Sequence, residues 1–472
     1  MYLIAPEIRN SGAVIAEGGD ILLAAGRGVS ITDLDAGGVY FEVQAPEDRV
    51  VNLGWLLADG GAVRAFAGSL EHRGDIRADS LSVDETGTVV LEARGDVALE
   101  SGSTVSAGGA AGGAVRVESR EGDTVVQGRV SASGAEGPGG DVRLLGERVG
   151  LFGDAAVDAS GAAGGGQVLV GGDYRGENPA VRNAEQTVLG PEARVTADAT
   201  AEGDGGRVIL WADGSTRAHG AVSARGGPEG GDGGFVEVSG KRSLVYEGTI
   251  TTEAPFGDVG TVLFDPVDIL VGADGTDGAS GGDILFADVP VADPWNVTPA
   301  QLAGVGGDVT LQAENDITFG EPVSLSFGLT AQAGNNITVD SGSGITATSI
   351  TLSANDNTGG TASGSGAIQL NGPLDASGAA SGFIDLTTNG GTGAINVAAD
   401  LTAGSSGAIS GEDFLFQSAN AKTVSGLAFA ASADVDLSVG AVTFDVDDFA
   451  VGGLLSIADN TMTFNTLTAQ AL

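Results

Sequence analysis

The 472-residue sequence has no cysteine, two histidines and, beyond Arg242, a single basic residue, Lys422. Without cysteine there can be no disulfide scaffold and no thiolate metal site. Twenty-one Lys and Arg against 63 Asp and Glu give a formal net charge of −42. That balance leaves nothing to neutralise a phosphate backbone and opposes anionic membrane surfaces, so no nucleic-acid partner is expected. It does keep a long molecule soluble and apart from its neighbours. No apolar run approaches the ~20 residues of a membrane-spanning helix. The opening stretch MYLIAPEIRNSG places Glu7 and Arg9 where a signal peptide needs an unbroken apolar core. Apolar stripes with helical spacing are missing, and the glycine density would destabilise most helices.

What the chain has in quantity is glycine, 81 residues of it. The glycines do not fall on every third position, which excludes collagen, and 42% hydrophobic residues in ordered clusters argue against disorder. A repeat fold remains. The pattern G-G-x-[VI]-x-apolar occurs at 18–23, 112–117 (GGAVRV), 139–144 (GGDVRL), 165–170 (GGQVLV), 205–210 (GGRVIL) and 233–238 (GGFVEV), and returns at 281–286 and 306–311. A [VI]-x-A segment keeps phase with it, at Val105, Val130, Val157, Val195 and Val222. The long step from 165 to 205 contains GGDYRGENPAVRNAEQ, which reads as a loop inserted into one repeat and, over 171–190, as a projecting contact surface.

Each repeat therefore holds short period-2 segments joined by glycine corners. Val115 and Val117 face one side and Arg116 the other; Val142, Val168, Val208 and Val236 occupy the same phase. Strands this short cannot bury a core alone and need stacked neighbours. The expected fold is all-β, a right-handed parallel β-helix with coils of about 25–28 residues. Propeller blades need about 40–50 residues each, which only the insertion-bearing repeat reaches. Composition divides the chain into an Arg-bearing, Gly-rich part, 1–271, and an Arg-free part rich in Thr, Ser, Asn and Asp, 272–472, read as the same solenoid with looser coils.

Five blocks carry a family resemblance: YLIAPEIRNSGAVIAEGGDILLAAG (2–26), GGQVLVGGDYRG (165–176), GDGGRVILWADGSTRAHGAVSARGG (203–227), GGDGGFVEVSGK (230–241) and GTVLFDPVDILVG (260–272). In order along most of 2–272, they resemble the filamentous-haemagglutinin-type large exoproteins of two-partner secretion in Gram-negative bacteria. The resemblance implies an extracellular β-helical fibre at the outer cell surface, exported through an outer-membrane partner transporter and used for adhesion or aggregation of unknown ligand. Such proteins carry a signal peptide and an Asn-Pro-Asn-Gly type motif in a secretion domain. The only Asn-Pro here is Asn178-Pro179, followed by Ala180, so the chain is expected to be a fragment lacking both.

Candidate chemistry is sparse. Gly240-Lys241 resembles the end of a phosphate-binding loop, but Arg242 stands where Ser or Thr is required. His219 with Asp213 and Ser215 invites a triad reading, yet neighbours on one strand alternate faces, and these residues, like His72, read as polar positions on a solvated face. No catalytic residue and no cofactor is expected, with one opening for calcium: Asp274, Asp277 and Asp283 in GADGTDGASGGD are the candidate ligands, and DVDDFA adds Asp445, Asp447 and Asp448. Solvated acidic corners are the simpler account. Trp55, Trp211 and Trp295 read as stacking or insertion residues; a sugar-binding platform would need clustered aromatics. The leading expectation is a non-catalytic adhesin. The rival is a polysaccharide-acting β-helix enzyme, a pectin-lyase-like lyase or hydrolase, which would need grouped carboxylates and basic residues.

Overall fold

A computed structural model describes residues 1–26, 48–80, 82–83, 86–273, 295–358, 362, 364–389, 393–417, 421–439, 441–457 and 461–464. Two compact units divide the chain between Val262 and Leu263.

In the first unit every repeat contributes three short strands, one to each of three parallel faces. The first face runs from Tyr2–Ala5 and Ile21–Ala25 through Ala114–Ser119, Asp141–Leu145 and Gln167–Val170 to Arg207–Ala212 and Phe235–Gly240. The second and third faces hold nine strands each, from Glu7–Asn10 to Ser243–Tyr246 and from Ala13–Ile15 to Thr249–Thr251. The chain is a parallel β-helix. Val115, Val142, Val168, Val208 and Val236 stand in one register column and are at most 1% exposed. Burying each such side chain stabilises the stack by about 1.5–3 kcal/mol.

The glycine pairs and the [VI]-x-A segments meet at one corner. The second glycine of each pair donates its N–H to the alanine carbonyl of its own coil: Gly113 to Ala107, Gly140 to Ala132, Gly166 to Ala159 and Gly206 to Ala197, all at 2.7–2.8 Å. Its carbonyl then accepts from the first strand residue of the next coil, as Asp141 N–H to Gly113 O and Gln167 N–H to Gly140 O, both 2.9 Å. A Cβ at Gly140, Gly166, Gly206 or Gly234 would lie 1.9–2.1 Å from the carbonyl oxygen of the glycine one coil before. Only a residue without a side chain lets the laps close this tightly. The motif is thus a packing requirement of the corner.

Coil lengths match the expectation over part of the chain. The steps Val63 to Val89 and Val89 to Val115 are 26 residues, and Val115 to Val142 is 27. Val168 to Val208 is 40 because of the insertion. In the second unit the steps Val309 to Leu329 and Leu329 to Ile350 are 20 and 21, Ile350 to Ile384 is 34, and Ile409 to Phe429 is 20 again. The step of 34 is longer than expected and Ile384 to Ile409, at 25, matches, but the coils of 20 and 21 residues are tighter than 25–28, not looser. Their third strand shrinks to two residues, as in Val323–Ser324 and Ile345–Thr346. One helix turn interrupts the β structure, Pro299–Ala303, capped by Thr298 and Gln301, which bond each other's backbone N–H. Thr298-Pro299-Ala300-Gln301 is a capping box with proline at the first helical position, a helix signal that does not depend on an apolar stripe.

Candidate functional site

The chemistry of the first unit concentrates where the inserted loop leaves the first face. Residues 171–185 do not project; they fold back as a strap over the outside of that face. The reason lies in the covered coils, where Leu145, Leu169, Ile209 and Trp211 occupy outward positions yet are at most 4% exposed, packed with Val181 of the strap. An apolar patch on an outer face needs a cover, and the insertion supplies it. Trp211 donates through Nε1 to Asp213 at 3.2 Å, and Asn183 of the strap bonds the same carboxylate at 3.0 Å. Asp173 accepts from Tyr174 N–H at 2.7 Å and from the Asn178 side chain at 2.6 Å, so the Asn-Pro of the strap is a turn anchor. Arg175 takes the left-handed conformation at φ 54° and donates its N–H to the fully buried Glu237 carboxylate, at 3.2 and 3.3 Å. Non-glycine residues there carry a conformational cost of about 1–2 kcal/mol, which the bond to a buried charge offsets.

Beside the strap lies an open trough of about 660 Å³. Its floor is the glycine corner itself, Gly165 and Gly166, Gly205 and Gly206, Gly233 and Gly234. One wall is a column of exposed carboxylates, Asp204, Asp232 and Asp258. Each fixes the next: Asp204 Oδ1 accepts from Asp232 N–H at 2.8 Å, and Asp232 Oδ1 from Asp258 N–H at 2.9 Å. The other wall carries Arg207 and Phe235. The Arg207 guanidinium lies 5.0 Å from the Tyr174 ring centre and 5.1 Å from that of Phe235, and the two rings meet edge to face at 5.9 Å. Aromatic clustering, which the one-dimensional sequence does not display, is therefore present here, assembled from residues 61 positions apart.

Carboxylates acting as staples between coils recur. Asp79 Oδ1 accepts from Gly108 N–H at 2.9 Å, Asp268 from Asp316 N–H at 2.9 Å, and Asp413 from Asp434 N–H at 2.8 Å. Many corner aspartates thus do more than face water: they satisfy backbone donors of the following lap.

Asp274, Asp277 and Asp283 lie outside the described residues. Asp445, Asp447 and Asp448 are exposed along the strand Ala441–Val451, and among the described residues no three His, Cys, Asp or Glu side chains are grouped to hold a metal. Lys241 donates its N–H to Ala212 O, and the Arg242 side chain pairs with Glu185, a strand end and not a phosphate loop. Asp213 serves Trp211 and Asn183, while His219 Nδ1 meets Glu247 at 2.9 Å; the three triad candidates are not one constellation. Nor is that face solvated at Ser215, which is buried. Burial lowers the His219 pKa against the opposing pull of Glu247, with Arg217 adding to the fall.

His72 corrects its reading most clearly. It is fully buried, in the inner column of the second face with Asn10 and Asn52. Asn52 bonds its Nδ1 at 3.1 Å and Thr104 O its Nε2 at 3.0 Å. Leu70-Glu71-His72 keeps strict alternation, so parity with Leu70 was the signal that His72 points inward. Trp295 is buried against Phe264 at 5.1 Å, and Trp55 is exposed on the third face.

No known family model matches the sequence, and no curated protein matches it. Among solved structures the chain is similar to the HMW1 secretion domain from Haemophilus influenzae, with 27% identity and a TM-score of 0.41, over 54% of this chain and 62% of that one.

Proposed function

We propose that the chain is a non-catalytic, extracellular scaffold of a Gram-negative cell surface, an exoprotein exported through an outer-membrane partner transporter and acting in adhesion or aggregation. The observation that carries this reading is how the carboxylates are used. A polysaccharide lyase or hydrolase converges its acids, with a basic group, on one bond. Here Asp204, Asp232 and Asp258 stand in file, with the first two bonded to the N–H of the next, and several arginines are committed to ion pairs between coils, such as Arg148 with Asp123 and Arg77 with Asp59. The resemblance of blocks within 2–272 to two-partner-secretion exoproteins supports the extracellular setting and the transporter.

Beads coated with the full chain should adhere to host cells or to one another more than albumin-coated beads, and deletion of an adjacent outer-membrane transporter gene should abolish surface display. Release of reducing ends or unsaturated sugars from any polysaccharide, lost on heat denaturation, would overturn the non-catalytic reading and favour the lyase or hydrolase.

A further inference from the structure

We propose that the trough beside the strap binds an uncharged, linear polysaccharide lying from coil to coil along the glycine floor. This deepens the adhesive reading and rests on it only for biological purpose; the binding itself is a separate matter of fact.

Four observations converge. The floor at Gly165, Gly206 and Gly234 has no side chains, so a flat ring can rest directly on backbone over a volume of about 660 Å³. The carboxylates of Asp204 and Asp232 are held by Oδ1, which orients the second oxygen of each as a fixed acceptor without further ordering cost. On the opposite wall the Arg207 guanidinium is clamped against the rings of Tyr174 and Phe235 and forms no ion pair among the described residues. Sugar hydroxyls both donate and accept, so they complement a groove with acceptors on one wall and donors on the other. The carboxylates also repeat once per coil, at ~4.8 Å, a step comparable to that of a β-linked pyranose chain. Three carboxylates against one guanidinium make the groove repel polyanions.

The test is affinity electrophoresis of the full chain through gels containing hydroxyethyl cellulose, xylan or polygalacturonate. Retardation by at least one neutral polymer and none by polygalacturonate is expected. The triple variant Asp204→Asn, Asp232→Asn, Asp258→Asn keeps the inter-coil acceptors through its amide oxygen while removing the free carboxylate oxygens, and Arg207→Gln removes the clamped donor. Each should weaken retardation about tenfold or more, with an unchanged circular dichroism melt. No retardation of the parent by either neutral polymer would overturn the proposal, as would equal retardation of folded variants or preference for the polyanion. Retention with depolymerisation would leave the site standing and sink the non-catalytic function; loss of binding with adhesion intact would do the reverse.

Discussion

His72 has one consistent protonation state in its buried ladder. The Asn52 amide donates to Nδ1, which must accept, and Nε2–H donates to the Thr104 carbonyl. Burial lowers the ring's pKa below 6.5, against the opposing effects of Thr104, Asn52 and Asp75. The unfolded chain therefore takes up the proton first, so stability is whole above pH 6.5 and falls as pH drops below it. Melting temperatures taken about one pH unit either side of 6.5 should show this decline, and His72→Asn should flatten it. His219 acts in the same direction. Asp356 adds a second, more acidic step. Its burial would raise the pKa, but bonds from Ser353, Thr358 and Gln332 outweigh that and lower it, so its contribution is lost as pH falls below 3.8. At the glycine corner, Gly140→Ala would set a Cβ 1.9 Å from Gly113 O; a loss of more than about 4 kcal/mol, or failure to fold, is expected in denaturant titration. Leu144→Ala, which leaves a cavity in the core, should cost about 2–5 kcal/mol by the same measurement.

The strap is the element whose removal has the most local signature. Excising 172–183 should expose Trp211, shift tryptophan emission to the red and promote dye binding, while the rest of the unit keeps its β spectrum. A Trp211→Phe background, in which the shift should vanish, identifies the source; an unshifted spectrum in the parent would mean the strap does not cover the patch. The inward columns were legible because Val, x, Val-or-Leu parity survives on these laps, from Val115 to Val236. The corners were legible as Gly-Gly in phase with [VI]-x-Ala, although the reason, the Gly140 N–H to Ala132 bond, needed coordinates. The strap's direction was misread, since a Gly- and Asn-rich insertion resembles a projecting loop. The overlooked clue was the outward parity of Leu169, Ile209 and Trp211, apolar where Arg116 and Arg143 are polar. The trough could not be seen in sequence at all, because Tyr174, Arg207 and Phe235 meet only once the 40-residue lap has closed.

At the scale of the molecule, stability is a sum over stacked laps and their neighbour contacts. Removing 88–113 joins Gly87 to Ala114, which takes the place of its register partner Thr88, and should leave a shorter stack that unfolds cooperatively. Removing 88–100 breaks the register of all three faces and should give an insoluble or unfolded chain; equal solubility of the two would contradict the stacked architecture. In the second unit the interior changes character towards its last described strands, where Phe429 stacks with Phe449 at 5.4 Å and Phe444 with Phe464 at 5.7 Å. Such ring pairs add about 0.5–1.5 kcal/mol beyond the area they bury. They are spaced by the 20-residue step of these tighter coils.

The carbonyls of Gly113, Gly140, Gly166 and Gly206 all point towards the lap that follows. A chain arriving amino end first would find each time a ready row of acceptors, and every completed turn would make withdrawal costlier, like a ratchet pawl dropping into its tooth. Damage at one of these glycines should therefore be polar in the genetic sense, sparing protease resistance in the turns before it and abolishing it in those after.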